Sequence, residues 1–143
     1  EGKDDLLRCI IQEIYDGLAT KIPPPDVVLA TASYDQPAAH LIQIFSHINE
    51  YKIFYKAMLG GAGVGIFRLF LKDQMVKRVL SRIRLLIKPD EQPPVPELIM
   101  AHYTAGALIN VITWWVEQET PYSPEQMALY VTRLWAYGVS ILR

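Results

Sequence analysis

Apolar residues recur at helical spacing in five stretches of the chain, and no stretch alternates at the two-residue period of a strand. In the first, Lys3 to Thr20, the stripe is Leu7, Ile10, Ile11, Ile14 and Leu18. Asp4 and Asp5 sit in its opening turn, where the helix dipole favours carboxylates. Gly2 serves as N-cap, and Asp5 is placed to close the turn. Pro23, Pro24 and Pro25 stop this helix, and residues 23–36 read as a long mobile loop. Pro37 suits the first position of a second helix, running to about Met58 with Leu41, Ile44, Phe45, Ile48, Tyr51, Tyr55 and Leu59 on its buried side. Gly60, Gly61, Gly63 and Gly65 follow that helix and read as a cap or hinge.

The third helix, from about Gly65 to Ile87, sets Phe67, Leu71, Met75, Val79, Ile83 and Ile87 at strict four-residue spacing. Its other face is basic, with Arg68, Lys72, Lys77, Arg78, Arg82 and Arg84 against Asp73 alone. Pro89, Pro93, Pro94 and Pro96 mark the loop that follows. A fourth helix, about Val95 to Glu119, has no Asp, Glu, Lys or Arg between Leu98 and Val116. At about 100° per residue, Leu98, Ala101, Ala105, Leu108, Ile112 and Trp115 form one apolar face. The opposite side holds His102, Tyr103, Gly106, Asn110, Thr113 and Trp114. A surface helix carries charge on that side, so this one is expected to be buried twice, once against its own subunit and once against another body.

Ser123-Pro124-Glu125-Gln126 opens the last helix as a capping box: Ser at the N-cap, Pro first, Gln third. The helix runs to about Leu142, with Met127, Tyr130, Val131, Leu134, Trp135, Gly138, Ile141 and Leu142 apolar or small. The short Thr120-Pro121-Tyr122 turn predicts that the last two helices form an antiparallel hairpin. The expected fold is therefore all-α, a bundle of about five helices in one domain spanning residues 1–143.

Composition sharpens this picture. The 143 residues are 51% hydrophobic, enough for one core and some apolar surface set against another chain. A net charge of −1 creates no global field for nucleic acid, whereas a whole DNA-binding protein carries a stronger basic footprint. The single cysteine, Cys9, rules out an internal disulfide and fits a reducing cytoplasm. The charged opening Glu1 to Asp5 is no signal peptide. The first residue is not Met, so the chain reads as part of a longer protein.

Two stretches resemble the regulatory domain of TetR-type transcriptional regulators. "EGKDDLLRCIIQEIYDGL" is similar to the helix that follows the helix-turn-helix in that family, with Gly2 in place of the usual Ser before Lys3-Asp4-Asp5-Leu6-Leu7. "FYKAMLGG" at 54–61 and "IMAHYTAGALINVITWWVEQETPYSPEQMA" at 99–128 resemble one subgroup of its C-terminal domains, with a His-Tyr, a small-residue run, a Trp-Trp and a Pro-Tyr-Ser-Pro turn. The resemblance implies a bacterial, cytoplasmic repressor that is not an enzyme and has no cofactor. It implies a homodimer joined through the last two helices as a four-helix bundle, and an unknown small-molecule effector. Operator DNA would be read only through an N-terminal domain outside this chain. The effector would shift the first helix, and only a difference in its affinity for two conformations can change operator binding.

The charge-free run predicts a dimer interface of Tyr103, Gly106, Asn110, Thr113, Trp114, Tyr130, Leu134, Trp135 and Gly138. A ligand pocket is expected among Tyr51, Phe54, Tyr55, Met58, Phe67, Phe70, His102 and Tyr103, near the glycine break, with His102 as the orienting polar contact. Each feature also has a plainer reading. The aromatics serve equally as core, and the basic face as a solvated surface rather than a phosphate or headgroup contact. His40, His47 and His102 lack zinc-site spacing, and Cys9 is expected to be a buried inert thiol. Leu98 to Val116 is long enough to span a bilayer but contains His102, Asn110 and several hydroxyls, so no membrane partner is expected. The alternative function is a helical ligand carrier or enzyme without a DNA partner, although no catalytic fingerprint appears. A purely structural dimer with a vestigial pocket is a third.

Overall fold

A computed structural model of the chain describes residues 2–20, 35–60, 64–118 and 122–137. They form six helices and no strand: α1 (Gly2–Ala19), α2 (Ala39–Glu50), α3 (Lys52–Gly60), α4 (Val64–Leu86), α5 (Glu97–Glu117) and α6 (Pro124–Tyr137). The expected prolines of the first loop, glycines 61 and 63, the Thr120-Pro121 turn and everything from Gly138 onward lie outside the described residues. The helices divide between two compact units, residues 1–52 with 120–143, and residues 53–119.

In the first unit, α2 is the centre. Leu41, Ile44, Phe45 and Ile48 are buried on one face, with Phe45 wholly enclosed. α1 lies against α2 and α6 packs along it. Among its described side chains α1 buries Ile11 and Leu18, while Ile10, expected on its stripe, is exposed. Cys9 is exposed as well, against the expectation of a buried thiol. It follows Asp5 by a full turn, on the side of α1 that nothing in the unit covers.

Two details of α2 depart from the sequence reading. The helix starts at Ala39, two residues after Pro37, because Ala38 stays extended (φ −63°, ψ 133°) as N-cap. The Ala38 N–H donates to Thr132 Oγ1 of α6 at 3.0 Å, and that hydroxyl donates in turn to the Ala128 carbonyl at 2.7 Å. A tertiary bond therefore sets the helix start. The expected single helix to Met58 is also interrupted at Tyr51 (φ −106°, ψ 32°), which makes six helices of the anticipated five. Tyr51 is exposed rather than buried, its ring tilted on His47 at 4.9 Å. No glycine or proline marks the break.

α6 opens with the anticipated capping box. The Gln126 N–H donates to Ser123 Oγ at 3.1 Å, and the Ser123 N–H donates to Gln126 Oε1 at 2.8 Å. Met127, Ala128 and Val131 are its buried face, whereas Tyr130, Leu134 and Trp135 remain exposed.

In the second unit, α4 and α5 pair along their lengths. Arg84 near the end of α4 forks onto Glu97 at the start of α5, with Nε and Nη2 both donating to Oε1 at 3.1 and 3.0 Å. Arg68 and Lys72 near the start of α4 instead border Ile109 and Asn110. The pair is therefore antiparallel. α4 buries Phe67, Leu71, Met75 and Val79, and α5 buries Ala101, Ala105, Leu108, Ile109, Ile112, Trp115 and Val116. Leu98, assigned to that face, is exposed in the first turn of α5, and Thr113, assigned to the opposite face, is buried with its hydroxyl on the Ile109 carbonyl at 2.8 Å. Among the described residues no single helix is long and apolar enough to cross a membrane.

Candidate functional site

The antiparallel pairing of α4 and α5 leaves an open groove between them of about 600 Å³. Arg68 and Lys72, one turn apart on α4, line one side. His102, Gly106 and Asn110, at four-residue steps on α5, line the other, with Tyr103, Ala107 and Ile109 completing it. A Cβ added at Gly106 would meet nothing within 4 Å, so the missing side chain contributes open space. A smaller recess of about 260 Å³ adjoins along the same helices, formed by Leu69, Lys72, Asp73, Val76 and His102. Asp73 is engaged by Lys77 at 3.0 Å.

The aromatic residues expected to line a pocket instead meet one another. Phe54, Tyr55 and Phe67 form a three-ring cluster with centroids 5.6–5.8 Å apart and near-perpendicular planes. Such edge-to-face packing adds stability beyond the area buried. Tyr55 and Phe67 are buried, and Phe54, Met58 and Phe70 half-buried. Of the eight residues proposed from sequence, His102 and Tyr103 line the groove. The cations Arg68 and Lys72 were visible in the sequence only as part of a basic face. What was missing was the register of α4 against α5.

α5 presents an uncovered, uncharged face. His102, Tyr103, Gly106 and Asn110 on it border the groove, with Tyr103 79% exposed, and Trp114 is half-exposed. On α6, Tyr130, Leu134 and Trp135 are similarly uncovered within their own unit. Of the histidines, His40 and His47 are both buried on α2, and His102 is exposed on α5.

Among the described residues, the buried charged group is an arginine. Arg82 on α4, placed by the sequence on the basic solvent face, is only 8% exposed, and its Nε has no hydrogen-bond partner. Burial, with the neighbouring positive charge of Arg78 second, lowers its pKa well below the usual arginine range, to about 10.

These features define an all-helical domain with an open, cation-bordered groove and uncovered apolar helix edges. The pattern that describes the C-terminal region of TetR-type transcriptional regulators matches residues 35–136, well over half of the chain, and the chain belongs to that family. No curated protein and no solved structure matched it.

Proposed function

We propose that this chain is the effector-binding and homodimerisation domain of a TetR-type repressor, whose operator contacts lie in a separate helix-turn-helix domain. The observation that carries this reading is the exposed edge of α5. Tyr103 is exposed and Trp114 half-exposed on a helix without a single charge from Leu98 to Val116. Water-facing helix edges are normally charged, and obligate interfaces resemble a core cut in half. The exposed Tyr130, Leu134 and Trp135 of α6 supply a second apolar surface of the same kind. A twofold axis brings each such surface against its copy. The pocket expected near Phe54, Phe67 and Phe70 and the α4–α5 groove are the two places for an effector, and the groove is the one with open volume beside polar groups.

Sedimentation equilibrium at micromolar concentration tests the dimer. Wild-type chain should be dimeric, and Tyr103→Glu and Leu134→Glu should give helical monomers, because Tyr103 is exposed and Leu134 half-exposed within their own units. A monomeric wild-type chain, or dimers that survive both changes, would refute this reading. The chain alone should bind duplex DNA only weakly and lose that binding in moderate salt.

A further inference from the structure

We infer that the α4–α5 groove binds an amphipathic organic anion, a carboxylate or phosphate head on an apolar body. The inference deepens the effector reading above and rests on it. Arg68 and Lys72 border the groove one turn apart, and neither has an ion-pair partner among the described residues. His102 and Asn110 face them from α5 and add hydrogen-bond donors suited to oxyanion oxygens. Asp73 sits in the adjoining recess and is engaged by Lys77 at 3.0 Å, and no carboxylate lines the groove itself. Guanidinium and ammonium groups together hold an oxyanion through charge-assisted bonds.

The rest of the lining selects the body of the ligand. Lys72 and His102 belong to both the groove and the recess, so these two polar groups sit where the depressions adjoin. Apolar surface extends to either side, from Ile109 in the groove and from Leu69 and Val76 in the recess. A bare inorganic anion would leave that surface wet, and a neutral hydrocarbon would leave two cations without a counter-charge. The volume, about 600 Å³ before the recess is counted, lies in the range of small-molecule sites.

Titration calorimetry on the full chain tests this with decanoate, decyl phosphate, decanol, decyltrimethylammonium and inorganic phosphate, all below micelle formation. Phosphatidylglycerol vesicles and duplex DNA serve as separate arms. Decanoate or decyl phosphate should bind at least about tenfold tighter than decanol or inorganic phosphate. Arg68→Gln and Lys72→Gln, both on exposed positions, should each remove most of that margin with thermal unfolding unchanged. Gly106→Leu should block the soluble anions while preserving the fold, since its new side chain points into open space. Equal binding of decanol and decanoate would overturn the anion assignment and leave the effector reading standing. Indifference to both Gln variants, or binding of vesicles or DNA through Arg68 and Lys72 without binding of the soluble anions, would overturn it as well. A monomer in sedimentation that still binds decanoate through these residues would sink the dimer reading and keep this one.

Discussion

Replacing Arg82 with Met should stabilise the chain, a direction opposite to the usual outcome for a buried residue. The guanidinium is 8% exposed, its Nε lacks a partner, and the nearest named charge is the like charge of Arg78. The drop from the usual arginine range to about 10 corresponds to about 3 kcal/mol of unfavourable free energy in the folded state at neutral pH. Met keeps an unbranched apolar stem of similar reach and removes the charge, so little packing is lost. Imperfect filling reduces the gain to about 1–3 kcal/mol, comparable to the replacement of other buried charges by apolar residues. At this chain length each kcal/mol moves the melting temperature by roughly 2–4 °C. Arg82→Lys retains the charge and should show no such gain. The pH dependence follows from the same values. Between about pH 10 and the usual arginine range the unfolded chain holds the Arg82 proton more tightly than the folded one, so the folded state gains stability as pH rises through that interval. Below it both states are fully protonated and the penalty is constant. Urea denaturation followed by circular dichroism at pH 7 and pH 9 should therefore give the same gain for Arg82→Met. A loss of stability, or a gain that disappears between those two values, refutes the reasoning.

Ser123→Ala removes the acceptor of the Gln126 N–H at 3.1 Å and should cost about 1 kcal/mol in thermal unfolding, with Ser123→Asp recovering most of it. Thr132→Val leaves the Ala38 N–H without the hydroxyl that accepts it at 3.0 Å, for a loss of about 1–3 kcal/mol in urea denaturation, whereas Thr132→Ser should be nearly silent. Cys9 is exposed, so a thiol reagent should modify the native chain completely without denaturant; modification only after unfolding would contradict its placement.

Local signals told most about helix ends and least about helix faces. The Ser123 to Gln126 box forms as the sequence implies because its four residues meet only one another. The Tyr51 interruption had no such signal, since neither glycine nor proline stands near it. The start of α2 was set by Thr132, a partner 94 positions away in sequence. Periodicity also misread α4 in a traceable way. Residues four apart advance about 40° around a helix beyond each full turn, so a strict four-residue stripe winds away from a fixed neighbour. From Phe67 the stripe has turned by about 160° at Ile83, which is half-buried, and further at Ile87, also half-buried. Arg82 falls at about 60°, between Leu71 and Met75, both buried. Counting angles instead of steps places Arg82 in the core and would have found it.

The groove was hidden from the sequence for a different reason. Arg68 and Lys72 stood out as part of a basic face, and His102, Tyr103, Gly106 and Asn110 as the uncharged side of another helix. Nothing local joins the two. Their meeting depends on α4 and α5 running antiparallel in one register, for which the Arg84–Glu97 fork at the other end of the pair is the clearest polar marker. That pair is partly exposed and of little energetic weight, so the buried stripes from Phe67 to Val79 and Ala101 to Val116 must hold the register. The site chemistry then follows from geometry that the apolar core alone enforces. Family membership describes that scaffold, whereas the ligand class must be argued from the residues the scaffold happens to bring together. In this chain they are two cations without an ion-pair partner among the described residues, an imidazole and an amide beside an open glycine, all between α4 and α5. Leu134 lies on α6 and is not part of that lining, so a substitution there should leave anion binding intact, and that separation is what the Arg68 and Lys72 variants on one side and the Leu134 variant on the other measure.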